Sequence, residues 1–271
     1  GGSISKDFAP HAVKAGAVVI DNSSAFRMDP EVPLVVPEVN PQAILKHKGI
    51  IANPNCSTII MVMALKPIYD LAKIKRVIVS TYQAVSGAGK EGIDELDAQV
   101  REHSEGREMT ANILPSASAE KYYPIAFNLI PQIDVFCDNL YTKEEMKMVN
   151  ETKKIMEDYE MRITATTIRV PVYRSHSESV NIELEKEVDL GAMREALAKF
   201  PGVTVQDDPS KQEYPMPLYT SEKDDVYVGR LRRDESCEKS YNMWVVGDQI
   251  RKGAALNTLQ IAETMIKNGW I

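Results

Sequence analysis

The sequence has few cysteines and no long apolar run. Its 271 residues include only three cysteines, Cys56, Cys137 and Cys237. No two of them are spaced as zinc ligands or redox dithiols are, so we expect no metal site and no disulfide framework. The longest mainly apolar stretch, residues 59–65, is far below the ~20 residues that a transmembrane helix needs. The chain also opens without a basic, then apolar, then small-residue signal. We therefore expect a cytoplasmic protein with no membrane partner.

Excess positive charge is also lacking. The chain has 32 Lys and Arg against 39 Asp and Glu, for a net charge of −7. Proteins that bind nucleic acids usually carry a basic stripe, so we expect no nucleic-acid partner. Neither an internal repeat nor a low-complexity segment is visible. With 44% hydrophobic and 26% charged residues, the composition is that of a globular protein, and roughly 150 residues per domain predicts one or two domains.

The first part of the chain has an alternating helix and strand pattern. A helix is predicted over residues 5–15, followed by short apolar runs at 16–21, 34–36 and 49–52. Runs of this length are typical of buried strands in a parallel sheet. An apolar helix is then predicted to begin near Cys56. These elements indicate an α/β domain.

The apolar helix contains Pro67, which we expect to kink or end it.

The remaining chain predicts a second, α+β domain. Its strands are longer and rich in Ile, Val and Thr, which favours an antiparallel or mixed sheet. The predicted strands are 76–85, 162–172, 177–187, 225–232 and 241–247, and the predicted helices are 90–105, 143–158, 190–200 and 253–268. Thr142 and Glu145 form the capping-box pattern at the second of these helices. We expect the last helix to pack back on the first domain. The predicted boundaries are 1–57, 58–252 and 253–271.

Cys56 is the first candidate for chemistry. It follows the turn Asn53-Pro54-Asn55 at the start of a helix. Free backbone N–H groups and the helix dipole favour a thiolate at this position. A thiolate is the nucleophile of covalent acyl chemistry. The alternative is a small buried hydrophobe, which is the interpretation that we prefer for Cys137 and Cys237.

His176 could serve as the acid or base beside such a thiol. A strand histidine can equally be a satisfied polar group. Arg169 lies seven residues earlier, and an odd separation along one regular strand places two side chains on opposite faces. A site shared by these two residues therefore requires an irregularity between them, for which Pro171 is a candidate.

Other charged and glycine-rich positions allow two interpretations each. Glu144 and Lys147 share one face of a first helical turn, as binding residues or as a surface pair. Arg27 follows a predicted strand end, where open parallel sheets bind ligands, but a lone arginine is often only solvated. The Ser-Gly-Ala-Gly segment at 86–89 precedes a helix and is either a phosphate cradle or a simple turn.

Several motifs together resemble one family. They are Asn-Ser-Ser-Ala-Phe-Arg (22–27), Asn-Pro-Asn-Cys-Ser-Thr (53–58), Tyr-Gln-Ala-Val-Ser-Gly-Ala-Gly (82–89), Ile-Ala-Phe-Asn (125–128), Arg169 with His176, and Lys-Gly-Ala-Ala-Leu-Asn (252–257). In this order and spacing they resemble the aspartate-β-semialdehyde dehydrogenases. The resemblance implies part of a Rossmann-like NADP-binding domain, followed by a catalytic and dimerisation domain with a mixed sheet. The second domain is similar to the C-terminal domain of glyceraldehyde-3-phosphate dehydrogenase. It also implies a homodimer.

The resemblance assigns roles to individual residues. It implies that Cys56 is the nucleophile, His176 the acid or base, and Gln83 a group that orients the acyl carbon. Substrate-binding roles are implied for Arg169 toward the α-carboxylate, Glu144 toward the amino group, and Arg27, Asn55 and Lys147 toward the phosphate. Positions near the cofactor are implied for Asn22, Ser23, Ser86, Gly87 and Asn257.

The implied reaction is the NADPH-dependent reduction of L-aspartyl 4-phosphate to L-aspartate 4-semialdehyde and phosphate, through a thioester on cysteine. It belongs to lysine, diaminopimelate, threonine and methionine synthesis. One alternative is an N-acetyl-glutamyl-phosphate reductase, which shares a Cys-His centre. The Glu144/Lys147 pair favours the aspartyl substrate, because N-acetylated glutamate has no free ammonium group. The other alternative is a non-catalytic paralogue that acts only in dimerisation.

The sequence departs from the family pattern in three places. One is Tyr122-Tyr123-Pro124, which precedes Ile-Ala-Phe-Asn without the His-Gln that the family usually has, and we expect the chemistry to tolerate it. No strand, glycine-rich turn and helix of the dinucleotide-binding type is present, so we expect roughly 60–80 residues of the cofactor domain before Gly1. The choice between NADP and NAD consequently follows from the resemblance alone. Gln249 stands where the family usually has Asn, and we expect the chemistry to tolerate this change.

Overall fold

The first sheet of the molecule is small and parallel. A computed structural model describes residues 2–271. Helix α1 (Gly2–Lys14) leads into β1 (Val19–Asp21), which pairs in parallel with β2 (Ile50–Ala52). These elements match the predicted helix and two of the three predicted strands.

The prediction of a strand at residues 34–36 is wrong. Only Leu34 forms a bridge, with Ala52 of β2. The side chain of Asn40 accepts the N–H of Val36 at 2.9 Å and donates to the carbonyl of Leu34 at 2.9 Å. Groups that would extend a ladder are therefore bound locally, and Pro37 has no N–H to continue the pairing.

Helix α2 (Cys56–Leu71) leaves the end of β2 and runs through the core. Its residues 59–65 have no exposed surface. Pro67 lies inside the helix, which continues to Leu71, so Pro67 does not end it. The other predicted effect, a kink at Pro67, stays a prediction. The apolar run that is too short for a membrane is a fully buried helix segment. No helix among residues 2–271 is both long enough and apolar enough to cross a bilayer.

The second sheet has six strands in the order β4-β3-β5-β8-β7-β6. The strands are β3 (Ile74–Gln83), β4 (Arg162–Arg169), β5 (His176–Leu184), β6 (Val203–Val205), β7 (Val226–Arg233) and β8 (Ser240–Gly247). Strands β3 and β4, and likewise β6 and β7, are parallel, and the other pairs are antiparallel. The predicted mixed sheet is confirmed, and the three-residue β6 is an addition to it.

The remaining helices cover this sheet and the first domain. They are α3 (Lys90–Ser104), α4 (Lys143–Met156), α5 (Leu190–Lys199), α6 (Pro217–Thr220) and α7 (Leu256–Asn268), with 3-10 turns at Pro41–Lys46, Val85–Ala88 and Pro209–Lys211. The predicted capping box of α4 is present, since Thr142 and Glu145 each accept the backbone N–H of the other. Helix α7 begins after a π-helical turn, Arg251–Ala255.

Strand pairing brings polar residues that are distant in sequence into one row, at the end of the sheet where β3 and β4 finish and β5 begins. Gln83 on β3 is opposite Arg169 on β4, and His176 on β5 is opposite Gly247 on β8. Tyr82 is opposite Ser177, so Gln83 and His176 are the next pair along. Arg169 and His176 therefore flank β3 from two separate strands. The sequence-based expectation treated Arg169 and His176 as residues of one strand, whose side chains would alternate between opposite faces. That alternation does not apply, because β4 ends at Arg169 and His176 begins β5.

The last helix packs on the first domain, as predicted. Ile261 and Met265 of α7 share a core cluster with Val35, Ile44 and Ile51.

A buried cation stands at the same junction. Lys252 Nζ donates to Glu38 at 2.6 Å, to Gln260 at 2.6 Å and to Asn257 at 3.0 Å, and the lysine side chain is only 1% exposed. This ammonium group ties the start of the last helical segment to the first domain.

We expect Lys252→Met to lower the free energy of unfolding by about 3 kcal/mol, because it leaves the Glu38 carboxylate without its cation. Urea denaturation would measure the loss. Lys267→Met, at an exposed position of α7, is the matched control and should change stability little. Equal denaturation midpoints for the two variants would contradict a stabilising role for Lys252.

Candidate active site

The candidate nucleophile lies at the start of the buried helix. Cys56 is the first residue of α2, and the Asn55 side chain caps the helix by accepting the N–H groups of Ser57 at 3.0 Å and Thr58 at 3.2 Å. Gly253 of the π-helical turn closes one side, since a Cβ there would lie 3.0 Å from Cys56 Cβ. The cysteine remains partly exposed. The predicted position at a helix N-terminus is confirmed.

The predicted thiolate is not the resting form of Cys56. Burial raises the pKa of the thiol to about 12, and the Glu144 carboxylate adds to this effect. Arg27, the N–H of Ser57 and Arg169 lower the pKa by smaller amounts. The loss of solvation therefore outweighs the helix N-terminus, and the resting protein carries a neutral thiol.

His176 is buried with one ring nitrogen bound and the other free. Its Nδ1 accepts the N–H of Ala84 at 3.0 Å. Burial, reinforced by Arg169, lowers the pKa of His176 well below its usual value, so the ring is neutral. Because Nδ1 accepts, the single ring proton belongs on Nε2. Within residues 2–271, Nε2 has no hydrogen-bond partner. His176 therefore offers a buried N–H donor to a ligand.

Arg169 lies next to His176 behind a glycine. Its Nη1 donates to the carbonyl of Ala84 at 2.7 Å, and its Nε finds no partner in the described part of the chain. A Cβ on Gly87 would lie 2.7 Å from Arg169 Nη1 and 3.3 Å from His176 Nε2. A side chain at position 87 would therefore displace the guanidinium group that we expect to hold the substrate.

The pair on α4 belongs to the site and not to the surface. Glu144 is 5% exposed, and its Oε1 accepts from Asn55 Nδ2 at 3.0 Å and from Gln83 Nε2 at 3.2 Å. Its Oε2 accepts from Lys147 at 3.2 Å. Lys147 also donates to Asp134 at 2.9 Å. The surface-pair interpretation of Glu144 and Lys147 is therefore wrong.

Arg27 is held by three protein oxygens. Its Nε donates to the carbonyl of Asn53 at 2.9 Å, Nη2 to the carbonyl of Asn22 at 3.0 Å, and Nη1 to Glu151 at 3.3 Å. The residue is 9% exposed, so it is not the solvated arginine of the alternative interpretation. Of the five guanidinium N–H groups, two remain, one on each terminal nitrogen.

The proposed cofactor residues form a chain of amides at the edge of the first sheet. Asn53 donates to Asn22 Oδ1 at 2.7 Å, and Asn257 donates to Asn53 Oδ1 at 2.7 Å and to the carbonyl of Val35 at 3.0 Å. Asn257 has no exposed surface. Ser23 Oγ donates to the carboxylate of Asp21 at 2.8 Å. In this structure these side chains are committed to protein partners, and their cofactor roles stay predictions.

Ser86 lies on the other side of the site, in the turn that contains Gly87. Its hydroxyl accepts from the side-chain amide of Gln249, whose oxygen accepts the N–H of Ser175 at 2.9 Å. Gln249, one of the departures from the family pattern, therefore links this turn to the residue before His176.

Some of these groups meet at a cavity of about 390 Å³. Arg169, Glu144, Lys147 and Gly87 line it, together with Asp134 and the loop residues Asn112, Ile113, Pro115, Ser116, Ala117 and Tyr122. Glu91 lines it as well, so two cations and three carboxylates face a space large enough for a small charged metabolite. Cys56, His176, Gln83, Arg27 and Asn55 are not among its lining residues, and the roles of all these residues stay predictions.

Sequence analysis missed two carboxylates of this region. Asp134 holds Lys147, and no motif marked it. Glu151 holds Arg27, and its spacing of seven residues from Glu144 places both on one face of α4. That spacing in the sequence could have indicated that Glu151 lies on the same helix face as Glu144.

Glu178 is the next residue after His176 on the same face of β5. Thr81 and Val245 are its strand neighbours. It has no exposed surface, and neither carboxyl oxygen has a partner among residues 2–271. Burial raises the pKa of Glu178 well above its usual value, so the carboxyl is neutral at low pH and costly to ionise as pH rises.

The fold and the site define a class of enzyme, the semialdehyde dehydrogenases. The family profile described as "Semialdehyde dehydrogenase, NAD binding domain" matches residues 1–47, and "Semialdehyde dehydrogenase, dimerisation domain" matches residues 65–252. The predicted fold class, a cofactor domain followed by a mixed-sheet dimerisation domain, is confirmed.

Individual relatives narrow the class. Aspartate-semialdehyde dehydrogenase of Aquifex aeolicus is 56% identical over 100% of this chain and 78% of its own length. That of Bacillus subtilis is 53% identical over 98% and 78%. The crystal structure of aspartate semialdehyde dehydrogenase II from Vibrio cholerae, complexed with ASA, superposes with a TM-score of 0.93 at 47% identity, covering 98% of this chain and 77% of that one. The chain belongs to the aspartate-semialdehyde dehydrogenase family.

The family assignment confirms the leading prediction from the sequence. The chain is that of an oxidoreductase of amino-acid biosynthesis, and the assignment favours the aspartyl substrate over N-acetyl-glutamyl phosphate. The roles of individual residues are not decided by the comparisons and are argued below from the geometry.

We expect Glu178→Gln to stabilise the protein, with a gain that grows as pH rises. A carboxyl whose pKa is raised by folding binds its proton more tightly in the native state, so stability falls as pH increases toward that pKa. Glutamine cannot ionise and escapes this loss. Thermal unfolding at about pH 5 and about pH 8 would measure the difference. Glu263→Gln, on the exposed side of α7, is the control, and a gain for Glu178→Gln that is equal at both pH values would refute the argument.

Proposed function

We propose that this chain supplies the catalytic site for the reversible, NADPH-dependent reduction of L-aspartyl 4-phosphate to L-aspartate 4-semialdehyde and phosphate. The observation that carries the proposal is that Glu144 of the 390 Å³ cavity joins both halves of the site. It accepts from Asn55, the residue before Cys56, and from Gln83, which Arg169 and His176 flank on the neighbouring strands. The substrate has a phosphate, a carboxylate and an ammonium group. The site offers a complementary partner for each.

Each substrate group has a partner in this arrangement. Arg169, a buried guanidinium beside Gly87, suits the α-carboxylate, because its fork can bind two carboxylate oxygens at once. Glu144 faces the cavity as the carboxylate for the ammonium group. Lys147, Arg27 and Asn55 provide the cations and amide for the phosphate.

Cys56 carries the covalent step. Its sulfur attacks the acyl carbon, a C–S bond forms, and the C–O bond to the phosphate breaks to release inorganic phosphate and leave a thioester. Because the resting thiol is neutral, its proton leaves as the C–S bond forms and passes to the departing phosphate, which gains negative charge as the C–O bond breaks. Gln83, held by Glu144 at 3.2 Å, lies in the same row as His176 and orients the acyl group.

His176 acts through its Nε2 proton. The bound cofactor supplies the hydride that reduces the thioester. The Nε2–H donates to the oxyanion that develops on the former acyl oxygen, which stabilises negative charge in a site shielded from water. The Nε2 proton stays on the ring as the oxyanion collapses to the aldehyde. The C–S bond breaks, and the Cys56 sulfur leaves as a thiolate that takes a proton from solvent. In the oxidative direction His176 takes part in the same steps reversed.

The glycine turn at Ser86 and Gly87 fits the nicotinamide end of the cofactor. Gly87 lets a flat ring approach Arg169 and His176 without a side chain in between. We assign NADP in preference to NAD, and we place Asn22, Ser23 and Asn257 on the cofactor side of Cys56, where the amide chain through Asn53 lies.

The wider organisation extends the proposal. We divide the chain into a cofactor part (1–57), a catalytic and dimerisation part (58–252) and a returning C-terminal segment (253–271). The dimer is proposed as a homodimer that pairs through the outer face of the large sheet. Tyr82 and Trp244 lie on that face with ring centroids 5.5 Å apart. A cytoplasmic location accords with a biosynthetic role.

The direct test is phosphate-dependent reduction of NADP with L-aspartate semialdehyde. We expect turnover that requires phosphate and that exceeds turnover with NAD. Cys56→Ala should abolish it while the circular dichroism spectrum stays unchanged, and Cys237→Ala, at the exposed cysteine, should retain it. Turnover by Cys56→Ala at the parent rate would exclude covalent catalysis, and turnover without phosphate would exclude this reaction.

Arg169→Lys should raise the KM for aspartate semialdehyde by about tenfold or more, because lysine cannot form the bidentate contact. The KM for phosphate should change much less, and it serves as the internal control. Steady-state kinetics with each substrate varied in turn would measure both. An unchanged semialdehyde KM would remove Arg169 from the carboxylate site.

A further inference from the structure

Helix α4 presents four charged side chains along one stripe. Glu144, Lys147, Glu151 and Lys154 follow one another at spacings of three, four and three residues, which places them on one helix face. The first two contact the cavity. The last two have no role in the reaction as described so far.

Glu151 is a buried carboxylate that joins two parts of the site. It is 1% exposed. Its Oε2 accepts the backbone N–H of Asn55 at 2.6 Å, and its Oε1 accepts from Arg27 Nη1 at 3.3 Å. Its two partners lie 96 and 124 residues earlier in the chain. A buried carboxylate is costly unless it is paired, and here both oxygens are used on groups that we assign to the phosphate.

Lys154 fixes the backbone on which Arg27 stands. Its Nζ donates to the carbonyl oxygens of Arg27 at 2.8 Å, Asp29 at 2.6 Å and Val32 at 2.8 Å. One helix turn of α4 therefore holds the Arg27 side chain through Glu151 and its main chain through Lys154.

The contact with Glu151 completes the set of hydrogen bonds that orient the guanidinium group of Arg27. Nε and Nη2 are bound by the carbonyls of Asn53 and Asn22, and Nη1 by Glu151. The two remaining N–H groups, one on each terminal nitrogen, are the pair that can bind two oxygens of a phosphate. Without Glu151, Nη1 would lose its charged partner, and only the two carbonyls would hold the guanidinium.

We propose that Glu151, supported by Lys154, is a positioning residue for the phosphate end of the substrate. It holds Arg27 and Asn55 in one arrangement and acts on the phosphate only through them. The proposal rests on the phosphate-binding roles of Arg27 and Asn55 in the proposed function. It predicts a selective effect on phosphate, since Arg169, Gln83 and His176 make no contact with Glu151.

Glu151→Gln is the sharpest test because it conserves shape. The glutamine oxygen can still accept the N–H of Asn55, but its amide NH₂ then faces Arg27 Nη1, which puts a donor against a donor. We expect the KM for phosphate to rise about tenfold, with kcat and the KM for aspartate semialdehyde within about threefold of the parent. Lys154→Gln should show the same pattern more weakly.

The matched control is Glu157→Gln, which removes a carboxylate that is 64% exposed just beyond the same helix. It should leave all three constants unchanged. A double variant, Glu151→Gln with Arg27→Gln, tests the route, because the effect of Glu151→Gln on the phosphate KM should largely disappear once Arg27 is gone. Circular dichroism and thermal unfolding would establish that each variant is folded.

An unchanged phosphate KM in folded Glu151→Gln would overturn the inference, as would equal increases in both KM values or a fall in kcat alone. If Glu151→Gln does not fold, Lys154→Gln must show the selective loss for phosphate, or the inference fails. Parent protein that turns over without phosphate would instead refute the proposed function. Calorimetric titration with inorganic phosphate would then still compare the parent with Glu151→Gln.

Discussion

The structure of the site depends on Asn55, which is bound from three directions at once. Its side-chain oxygen caps α2, its side-chain amide donates to Glu144, and its backbone N–H donates to Glu151. The first contact sets where the nucleophile helix begins, and the other two attach that start to α4. The position of Cys56 relative to the substrate-binding charges is therefore determined by one residue that joins the two domains.

Burial then sets the protonation states that the chemistry needs. The same desolvation raises the pKa of Cys56 and lowers that of His176, so the resting pair is a neutral thiol beside a neutral imidazole. A permanently ionised pair would require two further buried charges to be stabilised in the resting protein. With a neutral pair, the fixed charges are those that recognise substrate, and negative charge appears near Nε2 only as the reaction proceeds.

The local sequence predicted the individual helices and strands better than it predicted which of them lie side by side. The capping box of α4 and the β-branched strands were readable because their causes lie within a few residues. The order β4-β3-β5, which puts Arg169 and His176 on both sides of Gln83, was not, since pairing is decided by distant segments. The prediction of a Cys56 thiolate failed for the same reason. The helix dipole is a local effect, but the burial that outweighs it comes from the whole fold.

The stripe on α4 shows how one local pattern can carry long-range information. A helix that places Glu144, Lys147, Glu151 and Lys154 on one face reaches Gln83, Asp134, Asn55 and Arg27 in turn. Opposite charges alternate along the stripe, and Lys147 pairs with Glu144 at 3.2 Å. Glu151 and Lys154 both bind Arg27, one through its side chain and the other through its carbonyl oxygen. Substrate contact belongs to the first turn of the helix, and support of that contact belongs to the later turns. The division follows from geometry, because only the N-terminal end of α4 reaches the cavity.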